Sequence, residues 1–193
     1  MLAFDVDALS YSVIGRTTDA EITGPELGNT ATDIVIPDTV VDSGTTYSVT
    51  SIRDFAFASN ALTSVVIGNS VTTIGVGAFQ ASDLTTVIIP DSVTSIGERA
   101  FGDNTLASVA FEGNFGSFSP DMFDQNPDLA KITYCEGKAG WPQAFDNGST
   151  TITTTSIACA AVVSTPVPTS PLWLLGIMVG LLSLVAVRKL RKV

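Results

Sequence analysis

Phe57, Phe79 and Phe101 stand one 22-residue period apart, and Phe123 continues the step. Ile52, Ile74, Ile96 and Phe118 keep the same step, as do Leu62, Leu84 and Leu106. A fixed period in the twenties constrains the fold more than any other feature of this chain. One such unit cannot bury its own apolar side chains, so units must stack and share a continuous core. The register is fullest in two consecutive units, where Leu62 to Phe79 lies over Leu84 to Phe101 with matching apolar and glycine positions. The predicted fold class is a β-rich repeat solenoid of 22-residue units, with short parallel strands in one sheet.

Each unit reads as one coil. Leu62, Val65 and Ile67 have L-x-x-L-x-L spacing, and the β-branched run Ser64 to Ile67 suits an extended chain. Gly68-Asn69-Ser70 and Pro90-Asp91-Ser92 carry turn chemistry. Val71 and Ile74 then point back to the core, Gly75 and Gly97 are read as permitting a second bend, and Ala78-Phe79 closes the coil. Strand positions begin near Ala31, Leu62, Leu84, Leu106 and Leu129. Four stacking intervals make about 19 Å of solenoid. Between the first two units Val40 to Ser48 is an insertion with its tip at Asp42-Ser43-Gly44, and one extra residue near Asn126-Pro127-Asp128 offsets the last unit.

The stretches Leu62 to Ile67, Ile89 to Phe101 and Asp33 to Asp38 together resemble the bacterial surface-antigen (BspA-like) class of leucine-rich repeats, over residues 31 to 135. That resemblance implies a leucine-rich-repeat solenoid serving at bacterial cell surfaces in adhesion or protein binding, with a protein or surface glycan ligand that it does not name. Fold by itself does not assign function.

Both ends of the array need caps. Phe4 to Val6 and Leu9 to Ile14 are two extended stretches, giving an N-terminal β-hairpin cap over residues 1–30. A C-terminal cap spans 136–160, with Trp141 packed under it. The chain's two cysteines stand here, Cys135 ending the last strand and Cys159 following the extended run Thr150 to Ile157, and in an exported chain they are expected to pair. Closing that loop contributes roughly 3 to 4 kcal/mol in the chain-entropy model. Two unpaired buried thiols are the alternative.

Composition then changes. A Pro/Thr/Ser linker over 161–171 precedes Leu172 to Val187, which carries no charge, and Arg188, Lys189, Arg191 and Lys192 follow in the terminal segment 188–193. The uncharged run is read as a transmembrane helix, about 24 Å long, with a cytoplasmic basic tail. Together with Val167-Pro168-Thr169-Ser170-Pro171 it resembles the C-terminal sorting signals of the PEP-CTERM and IPTL-CTERM kind, which implies a membrane sorting protease. Neither Pro-Glu-Pro nor Ile-Pro-Thr-Leu occurs, so a permanent tail anchor stays open beside processing. The protein is therefore expected at the cell surface or outer envelope, held in the membrane at least transiently. Met1 to Asp5 shows neither a basic nor an apolar leader region, so the true start is expected upstream; a tail-anchored, cytoplasmic solenoid is the alternative.

The chemistry-bearing residues are sparse. There is no histidine, and two cysteines alone do not make a zinc site. Asp121, Asp124, Gln125, Asn126 and Asp128 are oxygen-rich but lack a calcium-loop spacing, and an acidic turn is the plainer reading. Asn147-Gly148-Ser149 is a formal glycosylation sequon, read as coincidental beside a bacterial-type tail. Outside the basic tail, five basic residues stand against nineteen acids, a net of −14, which excludes phosphate-neutralising nucleic-acid binding. No catalytic residue and no cofactor is expected, and the chain is read as a non-enzyme.

Strand alternation supplies the candidate binding face. If Val65 and Ile67 point inward, their neighbours point out. The register then yields a central outward column of Val35, Val66, Ile88, Ala110 and Thr133. Asp33, Ser64, Thr86, Ser108 and Lys131 flank it on one side, and Pro37, Gly68, Pro90 and Glu112 on the other. An apolar ladder rimmed by small polar residues suits protein binding, whereas a matrix or envelope component without a discrete ligand is the competing class.

Overall fold

The computed structural model describes residues 3–6, 9–15, 17–26, 30–146 and 151–158. The linker, the uncharged run 172–187, the sorting-motif residues Val167 to Pro171, the basic tail, Cys159 and the sequon all lie outside the described residues. Among the described residues no helix is long and apolar enough to cross a membrane.

The chain opens with β1 (Ala3–Val6), β2 (Leu9–Val13) and β3 (Asp19–Pro25), an antiparallel run in which β2 pairs both neighbours. The third strand lies beyond the two-stranded hairpin that the sequence predicts, and it joins the cap to the repeats. Its alternating buried residues Ala20 and Ile22 enter the core, and it pairs in parallel with β6 (Thr45–Ile52). Arg53 fastens the same junction, donating from Nε to Glu21 at 2.8 Å and from its guanidinium to Ser12 Oγ at 3.2 Å. Before β6 come β4 (Asp33–Val35) and β5 (Thr39–Asp42). The insertion is thus a hairpin of β5 on β6, turned at Ser43 and Gly44, whose φ angles of 48° and 84° give the left-handed pair that tight hairpins require.

From here two parallel ladders run along the array, where the sequence reading expected one sheet. The first follows the L-x-x-V-x-I runs: β4 pairs β7 (Ser64–Val66), then β9 (Thr86–Ile89) pairs β11 (Ser108–Phe111), which pairs β13 (Lys131–Cys135). The second follows the return limb of each coil, joining β6 to β8 (Thr73–Ile74), β10 (Ser95–Ile96) and β12 (Ser117–Phe118). Ile52, Ile74, Ile96 and Phe118 stand directly opposite one another in it. Two-residue strands leave no alternation to detect, so these positions looked like turn residues with one inward side chain.

The first ladder is interrupted between β7 and β9, which belong to different sheets. Proline contributes to the break. Glu112 donates its N–H to the Ile89 carbonyl at 2.9 Å, but the position one repeat earlier is Pro90, which has no N–H to give to Ile67. Coil contact persists through the Asp83 N–H, which donates to the Leu62 carbonyl at 2.9 Å. At the far end β15 (Thr151–Ile157) adds a further parallel strand to β13 and takes β14 (Ala144–Asp146) antiparallel on its other side.

The interior column is the phenylalanine step. Phe57, Phe79 and Phe101 are fully buried and stack nearly flat, with centroids 5.3 and 5.2 Å apart, and Phe123 follows at 5.8 Å. Backbone bonds repeat the step: the Phe57, Phe79 and Phe101 N–H groups donate to the Ala78, Ala100 and Met122 carbonyls. Gly75 and Gly97 sit where coils touch backbone to backbone. A Cβ on Gly97 would meet the Val76 nitrogen at 2.6 Å, and one on Gly75 the Asp54 nitrogen at 2.5 Å. Close approach, and not a left-handed bend, excludes a side chain there.

Beside the rings runs a polar ladder at Asn60, Ser82, Asn104 and Asn126, again at the repeat step. Asn104 Nδ2 donates to the carbonyls of Phe79, Phe101 and Gly102, while its Oδ1 accepts from the Leu84 N–H. Asn126 repeats this one coil later, donating to Phe101, Phe123 and Asp124 and accepting from Leu106. These buried amides satisfy backbone groups at the bend where neither ladder reaches.

Candidate binding face

On each side of the break between β7 and β9 the first ladder presents its outward side chains in rows, because parallel pairing in register sets like positions side by side, and the 22-residue step relates the rows across the break. Asp33 stands opposite Ser64 and Val35 opposite Val66. Thr86 pairs with Ser108 and Ile88 with Ala110, and Ala110 pairs in turn with Thr133. Inward neighbours Ile34, Val65, Val87, Val109 and Ile132 are buried. By contrast Val35, Val66 and Ile88 are 45%, 51% and 55% exposed, large aliphatic side chains held at the surface by strand alternation alone. Ala110 and Thr133 are half-buried, and β15 extends the rows by one coil with exposed Thr153 and Thr155.

The flanking row Asp33, Ser64, Thr86, Ser108 and Lys131 is exposed throughout. The other proposed flank is not a face. Gly68 and Pro90 are buried, and Pro37 and Glu112 are half-buried, because the chain turns inward there at the end of each strand. A Cβ on Gly68 would meet the Ile36 carbonyl oxygen at 2.8 Å. The face is therefore two rows wide.

Its charges are few, and only Asp33 is held by neighbours. Asp33 accepts from Ser64 Oγ at 2.5 Å and from Thr63 Oγ1 at 3.2 Å. The Ser64 hydroxyl, with help from Thr63, holds this carboxyl below its ordinary range. Lys131 makes no ion pair among the described residues.

Elsewhere the candidates resolve into structural roles. Asn126 is committed to the buried polar ladder and Asp121 accepts from Ser119 Oγ, so the oxygen-rich turn is built into the coil. Among the described residues no group of three or more His, Cys, Asp or Glu is placed to hold a metal ion. Trp141 lies half-buried against Phe111 and stacks on Tyr134 with centroids 4.9 Å apart, and its Nε1 donates to the Gly113 carbonyl. Cys135 ends β13, opposite Ile157 of β15, and is buried.

Comparison with known proteins bears on the repeats. Residues 45–160 match the model of the BspA type leucine rich repeat region in 6 copies. No curated protein matches the chain. A leucine-rich repeat protein from Bacteroides capillosus ATCC 29799 is 22% identical with a TM-score of 0.44, covering 79% of this chain and 98% of that one. A leucine rich cell surface protein from Faecalibacterium prausnitzii A2-165 is 22% identical with a TM-score of 0.49, covering 69% of this chain and 45% of that one. A leucine-rich repeat protein from Bacteroides ovatus ATCC 8483 is 20% identical with a TM-score of 0.36, covering 68% and 49%.

Proposed function

Since the chain belongs to the BspA type leucine rich repeat family, we propose that it is a bacterial cell-surface binding module whose recognition face is the first ladder. The observation that carries this reading is the row Val35, Val66 and Ile88, three aliphatic side chains each about half exposed. Leaving them in water forgoes burial worth about 1 kcal/mol or more apiece, a cost that a partner covering the row recovers. The hydroxyl row beside them supplies short, low-entropy hydrogen-bonding groups for the rim.

Display at the surface in this reading depends on the two ends of the chain. The uncharged run 172–187 and the basic cluster after it serve as a membrane anchor or as the substrate of a sorting protease. Cys135 and Cys159 lock the C-terminal cap in the oxidising exterior; β13 and β15 lie side by side in register up to Cys135 and Ile157, only two residues before Cys159.

The test is Val66→Glu with Ile88→Glu in the full chain, displayed on cells. Both side chains point away from the core, so the fold and its unfolding midpoint are expected to hold. Capture of surface-protein or glycan partners by the displayed protein is expected to be abolished. A folded double variant that retains capture would move the site elsewhere, and a wild-type protein that captures nothing while fractionating with the cell-surface matrix would favour a structural envelope role.

A further inference from the structure

The twelve outward positions of the six strands β4, β7, β9, β11, β13 and β15 hold one acid, Asp33, and one base, Lys131. In a chain of net charge −10 with nineteen acids, this is a nearly acid-free strip. The two charges lie at equivalent repeat positions, two coils before and two coils after the Thr86–Ile88 coil; on the Lys131 side two paired intervals make roughly 10 Å, and on the Asp33 side one of the two intervals is the unpaired β7–β9 step.

That placement is self-complementary. Consider a two-fold axis in the plane of the face, running along the strands through β9. It reverses the order of coils and leaves each row facing its own copy. Asp33 then meets Lys131 of a second copy twice over, by symmetry. In the central row Ile88 falls on the axis against itself, Val66 falls against Ala110, and Val35 against Thr133. The two larger aliphatics thus meet the two smaller, half-buried side chains. In the flanking row Thr86 meets itself and Ser64 meets Ser108, pairs of hydroxyls able to donate and accept alike. Copies this acidic repel one another at long range, so a face on which they associate must be free of unpaired acids. This face meets that demand.

We infer that the partner the first ladder fits is a second copy of this chain, docked face to face about an axis through β9. The inference rests on the binding-face reading above and names its occupant. In a surface protein such pairing joins neighbouring molecules, or molecules on facing cells.

Sedimentation velocity of the full-length chain, across a concentration series in mild detergent, tests it. The wild type is expected to show a concentration-dependent dimer. Asp33→Lys alone and Lys131→Asp alone each turn both symmetry-related pairs repulsive, raising the dimer dissociation constant about tenfold or more. The Asp33→Lys, Lys131→Asp double variant restores the dimer, and an equimolar mixture of the two single variants forms a heterodimer. That rescue shows each single variant is folded. A wild type monomeric throughout, single reversals that leave the dimer intact, or a failure of both rescues would overturn the inference. A monomeric wild type that still captures a different protein, and loses it on Val66→Glu with Ile88→Glu, overturns self-pairing alone. Capture that survives that pair of substitutions removes the binding face itself.

Discussion

Phe79→Ala removes a ring that is fully buried and stacked on both sides, on Phe57 at 5.3 Å and on Phe101 at 5.2 Å. Truncating a buried Phe costs about 3 to 5 kcal/mol, from lost transfer energy plus the cavity left behind. Phe79 belongs at the upper end of that range, because two parallel neighbours lose a stacking partner and each such pair contributes about 0.5 to 1.5 kcal/mol beyond area. Phe57 is an internal control. It is equally buried, but among the described residues only Phe79 stacks on it, so Phe57→Ala is expected to cost about 1 kcal/mol less. A Phe57 and Phe79 double-mutant cycle then isolates the coupling, expected near 1 kcal/mol. Urea unfolding followed by circular dichroism and by tryptophan fluorescence supplies the numbers, and coincident transitions verify that one cooperative unit is being measured. A loss below about 1 kcal/mol for Phe79→Ala would place the ring outside the core and refute the 22-residue register.

Three further outcomes are expected, the first from the buried polar ladder and the other two from the cysteines and the tail of the sequence. Asn104→Ala is expected to cost about 3 kcal/mol in the same assay, since it strands the buried Leu84 N–H and the Phe79 carbonyl, while the Phe101 carbonyl keeps its bond from Asn126; a change within error would assign the two stranded groups other partners. If Cys135 and Cys159 pair, mass spectrometry of unreduced exported protein finds both in one cross-linked peptide, and two freely alkylated thiols would exclude the bond. Deleting residues 172–193 is expected to shift the protein from the membrane to the soluble or secreted fraction, whereas unchanged membrane association would reject both anchoring and sorting through the tail.

What the sequence disclosed is what repeats with large apolar side chains. The phenylalanine step, the inward residues Val65, Val87 and Val109, and the outward row of Val35, Val66 and Ile88 all follow from period and alternation. Features carried by short or polar segments were hidden. The second ladder is built from strands as brief as Thr73–Ile74, too short for an alternation to register. Asn104 and Asn126 repeat as faithfully as the rings, but a polar residue beside a turn reads as turn chemistry until its burial is seen. Ser59, Ala81, Asp103 and Gln125 also recur at the repeat step with φ near 55°, and none is a glycine, so composition gave no hint of a left-handed corner. Pro90 shows the opposite failure. Alternation alone puts it on the outward flank, yet the turn that begins there carries it inward and removes a ladder donor.

Methyl NMR of the full chain with a soluble paramagnetic relaxation agent tests the central claim most directly, because it reads the face atom by atom. In dilute protein, methyls of Val35, Val66 and Ile88 are expected to relax strongly, while Val65, Val87 and Ile89, their immediate chain neighbours, remain protected. On raising the concentration, or on adding whatever partner the displayed protein captures, relaxation should fall at Val35, Val66, Ile88 and Ala110 together and at no methyl outside the two rows of this face. Protection that develops on another surface while these four methyls stay fully relaxed would contradict the claim that this ladder is the face the protein binds with.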